Sequence, residues 1–156
     1  MSAPGNKIRL IGRMEFIDFP ELNLLGLEAK MDTGAYTSAI HCSRIYVHSK
    51  DNKETLCFKI PNTTSSEQST TLYEMEKFSR KIIKNSFGEV EERYIIKTKI
   101  RLGKKTVLST ISLSDRESMR FPVLIGRRFL KGNFIVDVNR EKTGGLLFKK
   151  IIKEYI

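Results

Sequence analysis

Tryptophan is absent from this 156-residue chain, and cysteine (two), histidine (two) and proline (four) are scarce. Two cysteines cannot build a disulfide framework. Cys42 and Cys57 form no CxxC pair and read as buried or incidental thiols. There is no HExxH, and the adjacent His41 and Cys42 would face opposite ways on a strand, so a metal site is not expected. Neither His41 nor His48 pairs convincingly with a serine or with Cys42, which sets nucleophilic catalysis aside. No apolar run approaches the ~18 residues that cross a membrane. The stretch from Met1 to Lys7 lacks the apolar core of a secretory signal, so the expected location is cytoplasmic, with no membrane partner.

Positive charge is plentiful. Lys and Arg total 28 against 18 Asp and Glu, a formal net charge of +10. The cations run from Lys7 to Lys153 without a dominant block; Arg127-Arg128 and Lys149-Lys150 are only pairs. Such dispersion favours solubility over a nucleic-acid footprint, so nucleic acid is not an expected partner. The length and a hydrophobic content of 40% suit a single domain over residues 1–156 with one sizeable core.

The pattern is mainly β. Residues 7–19 alternate in part, and Pro20 ends them. Leu24 to Met31 is a short strand. Ala39 to Val47 and Thr55 to Ile60 flank the polar turn Ser49–Lys53, which predicts a hairpin. Pro61 to Thr71 is polar and should be a mobile insertion. Leu72 to Ile83 is ambiguous, with room for a helical turn at Leu72–Glu76. Arg93 to Leu102 and Val107 to Leu113 form the clearest hairpin, turning at Gly103-Lys104. Phe121 to Gly126 is a short apolar strand. Arg127 to Gly132 has room for one or two helical turns, Phe134 to Val138 is a strand, and Leu146 to Ile156 ends the chain strand-like.

One stretch carries chemistry. The strand ending at Met31 delivers Asp32-Thr33-Gly34-Ala35 into a loop. Asp and Gly are common turn residues, and the tripeptide alone also fits an ordinary β-turn. Its chemical reading is that Asp32 holds a water, Thr33 orients the carboxylate, and Gly34 admits backbone or substrate. Thr37 and Ser38 read as residues that cap or brace the loop. Farther along stands Val123-Leu124-Ile125-Gly126-Arg127.

Together these motifs resemble the retroviral-type aspartic proteases, or retropepsins, in which an Asp-Thr-Gly loop sits beside a short apolar strand ending in Gly-Arg and a short helix. A closer resemblance covers nearly the whole chain: Ile11-Gly12-Arg13-Met14-Glu15-Phe16, Lys30 to Ser38, Ser86-Phe87-Gly88, Arg93-Tyr94, Asp115-Arg116-Glu117-Ser118-Met119 and Phe121 to Arg127 look like the family named ATP-dependent zinc proteases. Its members are encoded near, or fused to, ligases that add glutamate to ribosomal protein tails. The zinc of that name finds no support in these residues. The resemblance implies a closed acid-protease (retropepsin-like) barrel with one short helix. It implies Asp32, Thr33 and Gly34 as catalytic residues, Ala35, Arg116, Gly126 and Arg127 as binding residues, and no cofactor. Position 36, usually Arg in that family and acidic in retroviral enzymes, is Tyr36 here, so the partner of Arg127 is open, with Asp115 a candidate.

The function expected is peptide-bond hydrolysis by an aspartic mechanism. That chemistry needs two carboxylates sharing a proton, and the chain has one Asp-Thr-Gly. A second Asp32 from a weak homodimer would complete it. The substrate would be a peptide or protein, glutamate-rich by association with the neighbouring ligases. The competing expectation is a non-catalytic binding module whose basic surface takes a ribosomal or other acidic protein.

Overall fold

The computed structural model describes residues 7–61, 71–84, 87–115 and 120–147. Its strands are β1 (Arg9–Phe19), β2 (Leu24–Met31), β3 (Ser38–His41), β4 (Arg44–Lys50), β5 (Lys53–Ile60), β6 (Thr71–Met75), β7 (Ser79–Lys84), β8 (Val90–Leu102), β9 (Lys105–Ser114), β10 (Val123–Ile125), β11 (Phe134–Glu141) and β12 (Leu146–Leu147). One α-helix, α1 (Arg127–Leu130), follows β10. The mainly β class with one short helix is as expected. No helix among the described residues is long and apolar enough to cross a membrane.

The chain forms two compact units. Among the described residues, one gathers those through Ser38, Thr98–Thr110 and those from Phe121; the other holds those of Ala39–Lys97 and Ile111–Arg120. β8 and β9 run through both.

In the first unit β11, β1, β2 and β10 lie side by side in that order. β1 and β2 are antiparallel, with Glu15 opposite Ala29. Pro20 stops β1, and a single 3-10 turn, Pro20–Leu22, reverses the chain through left-handed Asn23 (φ 52°). β10 runs parallel to β2, with Val123 opposite Ala29 and Ile125 opposite Met31. β1 also meets β8 at Asp18 and Arg101, whose side chains form an ion pair at 2.9 Å. The alternating inward residues Ile17, Phe19, Leu27, Ala29, Ile100, Leu102, Val123 and Ile125, with Phe129 of α1, make the core of this unit.

Two buried charges pin its edges. Glu15 is fully buried, and its carboxylate accepts hydrogen bonds from Gly12 N–H (2.7 Å), Thr143 N–H (3.1 Å), Thr143 Oγ1–H (2.8 Å) and Gly144 N–H (2.9 Å). It thereby fixes the turn that leads into β12. The Lys105 ammonium donates to the Lys7 carbonyl at 3.1 Å and lies 5.6 Å from the centre of the Phe134 ring. Burial, and then the charge of Arg9, lower its pKa.

In the second unit β4, β5 and β6 form an antiparallel sheet. Asp51 and Asn52, both with positive φ (52° and 63°), make the β4–β5 turn that the polar run predicts. The expected single strand over Ala39–Val47 is two, broken where Ser43 N–H donates to the Lys59 carbonyl. The helical turn considered at Leu72–Glu76 is instead strand β6, because Leu72, Tyr73 and Glu74 pair with Lys59, Phe58 and Cys57. Its local pattern fits either state, and cross-strand pairing decides it. The Phe58 and Tyr73 rings stack at 5.4 Å. Cys42 is buried, its amide bonded to the Ser114 carbonyl at 2.7 Å. Nine residues of the expected mobile insertion, 62–70, and residues 148–156 of the expected terminal strand lie outside the described residues.

Candidate active site

Every described contact of the Asp32 loop below is made within the first unit. β2 ends in the buried side chain of Met31, and the backbone there makes one further bond: Asp32 N–H donates to the Ile125 carbonyl at 2.8 Å. The chain then turns on Asp32 itself. Ala35 N–H donates to the Asp32 carbonyl at 3.2 Å, and Gly34 N–H donates to Asp32 Oδ1 at 3.1 Å. A side-chain oxygen bonded to an amide two residues on is how an Asp stabilises such a turn. The result is a half-exposed carboxylate with one oxygen held by backbone. A Cβ at Gly34 would stand 3.3 Å from Asp32 Oδ1, tighter than ordinary contact.

The segment from β10 into α1 braces this loop from behind. Arg127 N–H donates to the Ala35 carbonyl (2.8 Å) and Arg128 N–H to the Tyr36 carbonyl (3.0 Å). The first amides of a helix lack partners within it, and the loop carbonyls supply them. Gly126 N–H donates to Ser38 Oγ at 3.0 Å, in a buried position. Ser38 is therefore a brace, as read from the sequence.

Arg127 holds the loop from the outer side. Its Nη1 donates to the Thr33 carbonyl at 3.0 Å, and its guanidinium lies 5.9 Å from the centre of the Tyr36 ring. A carbonyl and an aromatic face thus take the place of an ion-pair partner, using the attraction between a cation and a ring quadrupole. Tyr36 is 57% exposed.

Beside the loop opens a cleft of about 810 Å³ lined by Thr33, Tyr36, Arg127, Arg128, Leu130 and Lys131, with Phe134 and Val136 of β11. Its walls combine three cations with apolar surface. Asp32, Thr33, Gly34, Ala35, Gly126 and Arg127 are thus brought together, whereas Arg116 lies outside the described residues. Sequence reasoning missed Arg128 and Lys131 as part of the site. For Lys131, four residues after Arg127, the one-turn spacing was the available signal; for the adjacent Arg128 there was none. Among the described residues no three His, Cys, Asp or Glu side chains are grouped to hold a metal ion.

A mainly β chain whose Asp-Thr-Gly loop is backed by a short strand ending at Ile125, then Gly126 and a short helix opening at Arg127, has a retropepsin-like fold. The family model described as "Retropepsin-like aspartic endopeptidase RimB" matches residues 10–144, and the chain belongs to that RimB-like family. A protein from Desulfotalea psychrophila named "Probable alpha-L-glutamate ligase" is 33% identical over 129 residues, covering 83% of this chain and 28% of that protein. One of the same name from Shewanella halifaxensis is 31% identical over 128 residues, covering 82% and 28%. The chain therefore spans little more than a quarter of the length of these curated relatives. The crystal structure of Lpg0085 (DUF785) from Legionella pneumophila, titled as of unknown function, superposes with a TM-score of 0.68 at 26% identity. That match covers 87% of this chain and 98% of the other.

Proposed function

We propose that this chain is an aspartic endopeptidase that works as a homodimer, each copy contributing Asp32. The observation that carries the reading is the Asp32 carboxylate itself: half-exposed, at the end of a strand, with Oδ1 held by Gly34 N–H at 3.1 Å. Two such carboxylates close together cannot both ionise, so they share one proton. The ionised one takes a proton from water as the water oxygen bonds to the scissile carbonyl carbon. The protonated one gives its proton to the carbonyl oxygen. The tetrahedral species then collapses, the C–N bond breaks, and the leaving nitrogen takes up a proton.

A glutamate-rich peptide is the substrate class this reading favours. The cleft beside the loop presents Arg127, Arg128 and Lys131, and the chain carries a net charge of +10. Relatives bearing a similar segment are named as glutamate ligases. Cations lining a cleft concentrate anionic ligands and raise their encounter rate.

The test is turnover of glutamate-rich and neutral peptides by the wild type and by Asp32→Asn, a nearly isosteric change. Hydrolysis by the wild type, lost in a folded Asp32→Asn protein, is the expected result. Peptide binding unchanged by Asp32→Asn, with no turnover in either protein, would instead mark a binding module. Activity per chain that stays constant while the protein is diluted to a strict monomer would overturn the shared-carboxylate mechanism.

A further inference from the structure

The peptide unit joining Ile125 to Gly126 is gripped at both ends. Its carbonyl accepts the Asp32 N–H at 2.8 Å, and its N–H donates to Ser38 Oγ at 3.0 Å. The six atoms of a peptide unit lie in one plane, so its two polar ends turn together. We propose that Ser38 is a positioning residue for Asp32, acting through the Ile125–Gly126 peptide. This rests on reading Asp32 as the reacting carboxylate.

Ser38 is 1% exposed, and its bond to Gly126 is buried. Without the hydroxyl the Gly126 N–H would be buried and unpaired, which leaves its desolvation uncompensated. The peptide plane can relieve that only by tilting towards another acceptor. A tilt carries the Ile125 carbonyl away from Asp32 N–H, at the point where the paired stretch of β2 and β10 ends at Ile125 opposite Met31. The β2–β10 ladder has no further rung, and the next bonds, from Arg127 and Arg128 N–H to the Ala35 and Tyr36 carbonyls, hold the loop beyond Asp32 and not the Asp32 amide itself. The carboxylate turns on the same backbone, because its Oδ1 is held by the amide two residues on. Substrate contacts are not part of this chain of bonds, so the effect falls on the chemical step.

The experiment compares Ser38→Ala, Ser38→Cys and Ser38→Thr in the full chain, by peptide turnover and by amide hydrogen exchange. In Ser38→Ala, kcat should fall about tenfold, the rate equivalent of ~1.4 kcal/mol, with KM nearly unchanged. Exchange at the Asp32 and Gly126 amides should quicken by about the same factor, while Ile100 in β8 keeps its wild-type rate. Ser38→Thr, which restores a hydroxyl, should recover both. Should Ser38→Ala fail to fold, Ser38→Cys, of similar size and a weak acceptor, should give a milder version of the same pattern. Wild-type exchange at Asp32 in either variant, or exchange that quickens equally at Ile100, overturns the proposal. The exchange measurement stands even if Asp32→Asn proves active, so failure of the catalytic reading is distinguishable from failure of the positioning role.

Discussion

Gly126 lies so close to Tyr36 that a Cβ on the glycine would stand 2.8 Å from the Tyr36 carbonyl oxygen. The Ala35 carbonyl oxygen and the Thr37 carbonyl carbon would each be 2.9 Å away. These are backbone atoms, which cannot swing aside as the end of a side chain can. Gly126 has an ordinary φ of −98°, so its role is space and not a special conformation. Gly126→Ala should therefore force the Asp32 loop and α1 apart, costing about 1–3 kcal/mol or more. Urea unfolding would measure the loss. Stability within about 0.5 kcal/mol of the wild type would contradict the tight contact.

Glu15 offers a second test. Four donors converge on its buried carboxylate. In Glu15→Gln the amide NH2 points protons at groups that also point protons. Destabilisation of about 2–3 kcal/mol is expected, on the scale of hydrogen bonds to a charged group. Exchange at the Thr143 and Gly144 amides should rise first. Unchanged exchange at both amides would mean that Glu15 does not hold the turn.

Alkaline pH provides a third. Burial pushes the Cys42 thiol from its ordinary 9.0 up to about 12; the charge of Asp115 adds to the rise and the hydrogen bond with the Ser114 backbone opposes it. The folded chain thus holds a proton that the unfolded chain releases from about pH 9. The associated stability is complete below that pH and is lost as pH rises towards 12, by at most ~1.4 kcal/mol per pH unit. Lys105 acts with the opposite sign, since its pKa is lowered and folding gains as it deprotonates. Comparing Cys42→Ala with the wild type between pH 8 and 11 isolates the thiol, and the variant should show the shallower decline. Parallel curves would disprove it.

Much of this fold can be read along the chain because alternation is a local property. Leu24–Met31 is a strand at those bounds, and the Arg93–Leu102 run lies within β8. The Asp32 loop and the Gly126-Arg127 motif are legible for the same reason, since spacing and residue type suffice. Leu72–Glu76 misleads because its apolar residues fit two periods, and only its partners on β5 choose between them. What Arg127 binds was likewise illegible. Looking for a carboxylate finds none at position 36, whereas the structure uses the Thr33 carbonyl and the face of Tyr36. A carbonyl carries no signature of its own in a sequence.

The pairing of β2 with β10 also has a consequence during synthesis. Arg127 and Thr33 are 94 residues apart, and Ser38 and Gly126 are 88 apart. A ribosome that has emitted Asp32 has not yet made the carbonyl that holds its amide, the glycine that fits behind it or the arginine that ties down Thr33. Such long-range contacts form late, after the entropy of closing the intervening chain has been overcome. A nascent chain therefore carries the Asp32 loop without these supports until residues 125–127 have been made. The brace behind the Asp32 loop can close only after both motifs, 88 to 94 residues apart, have been made.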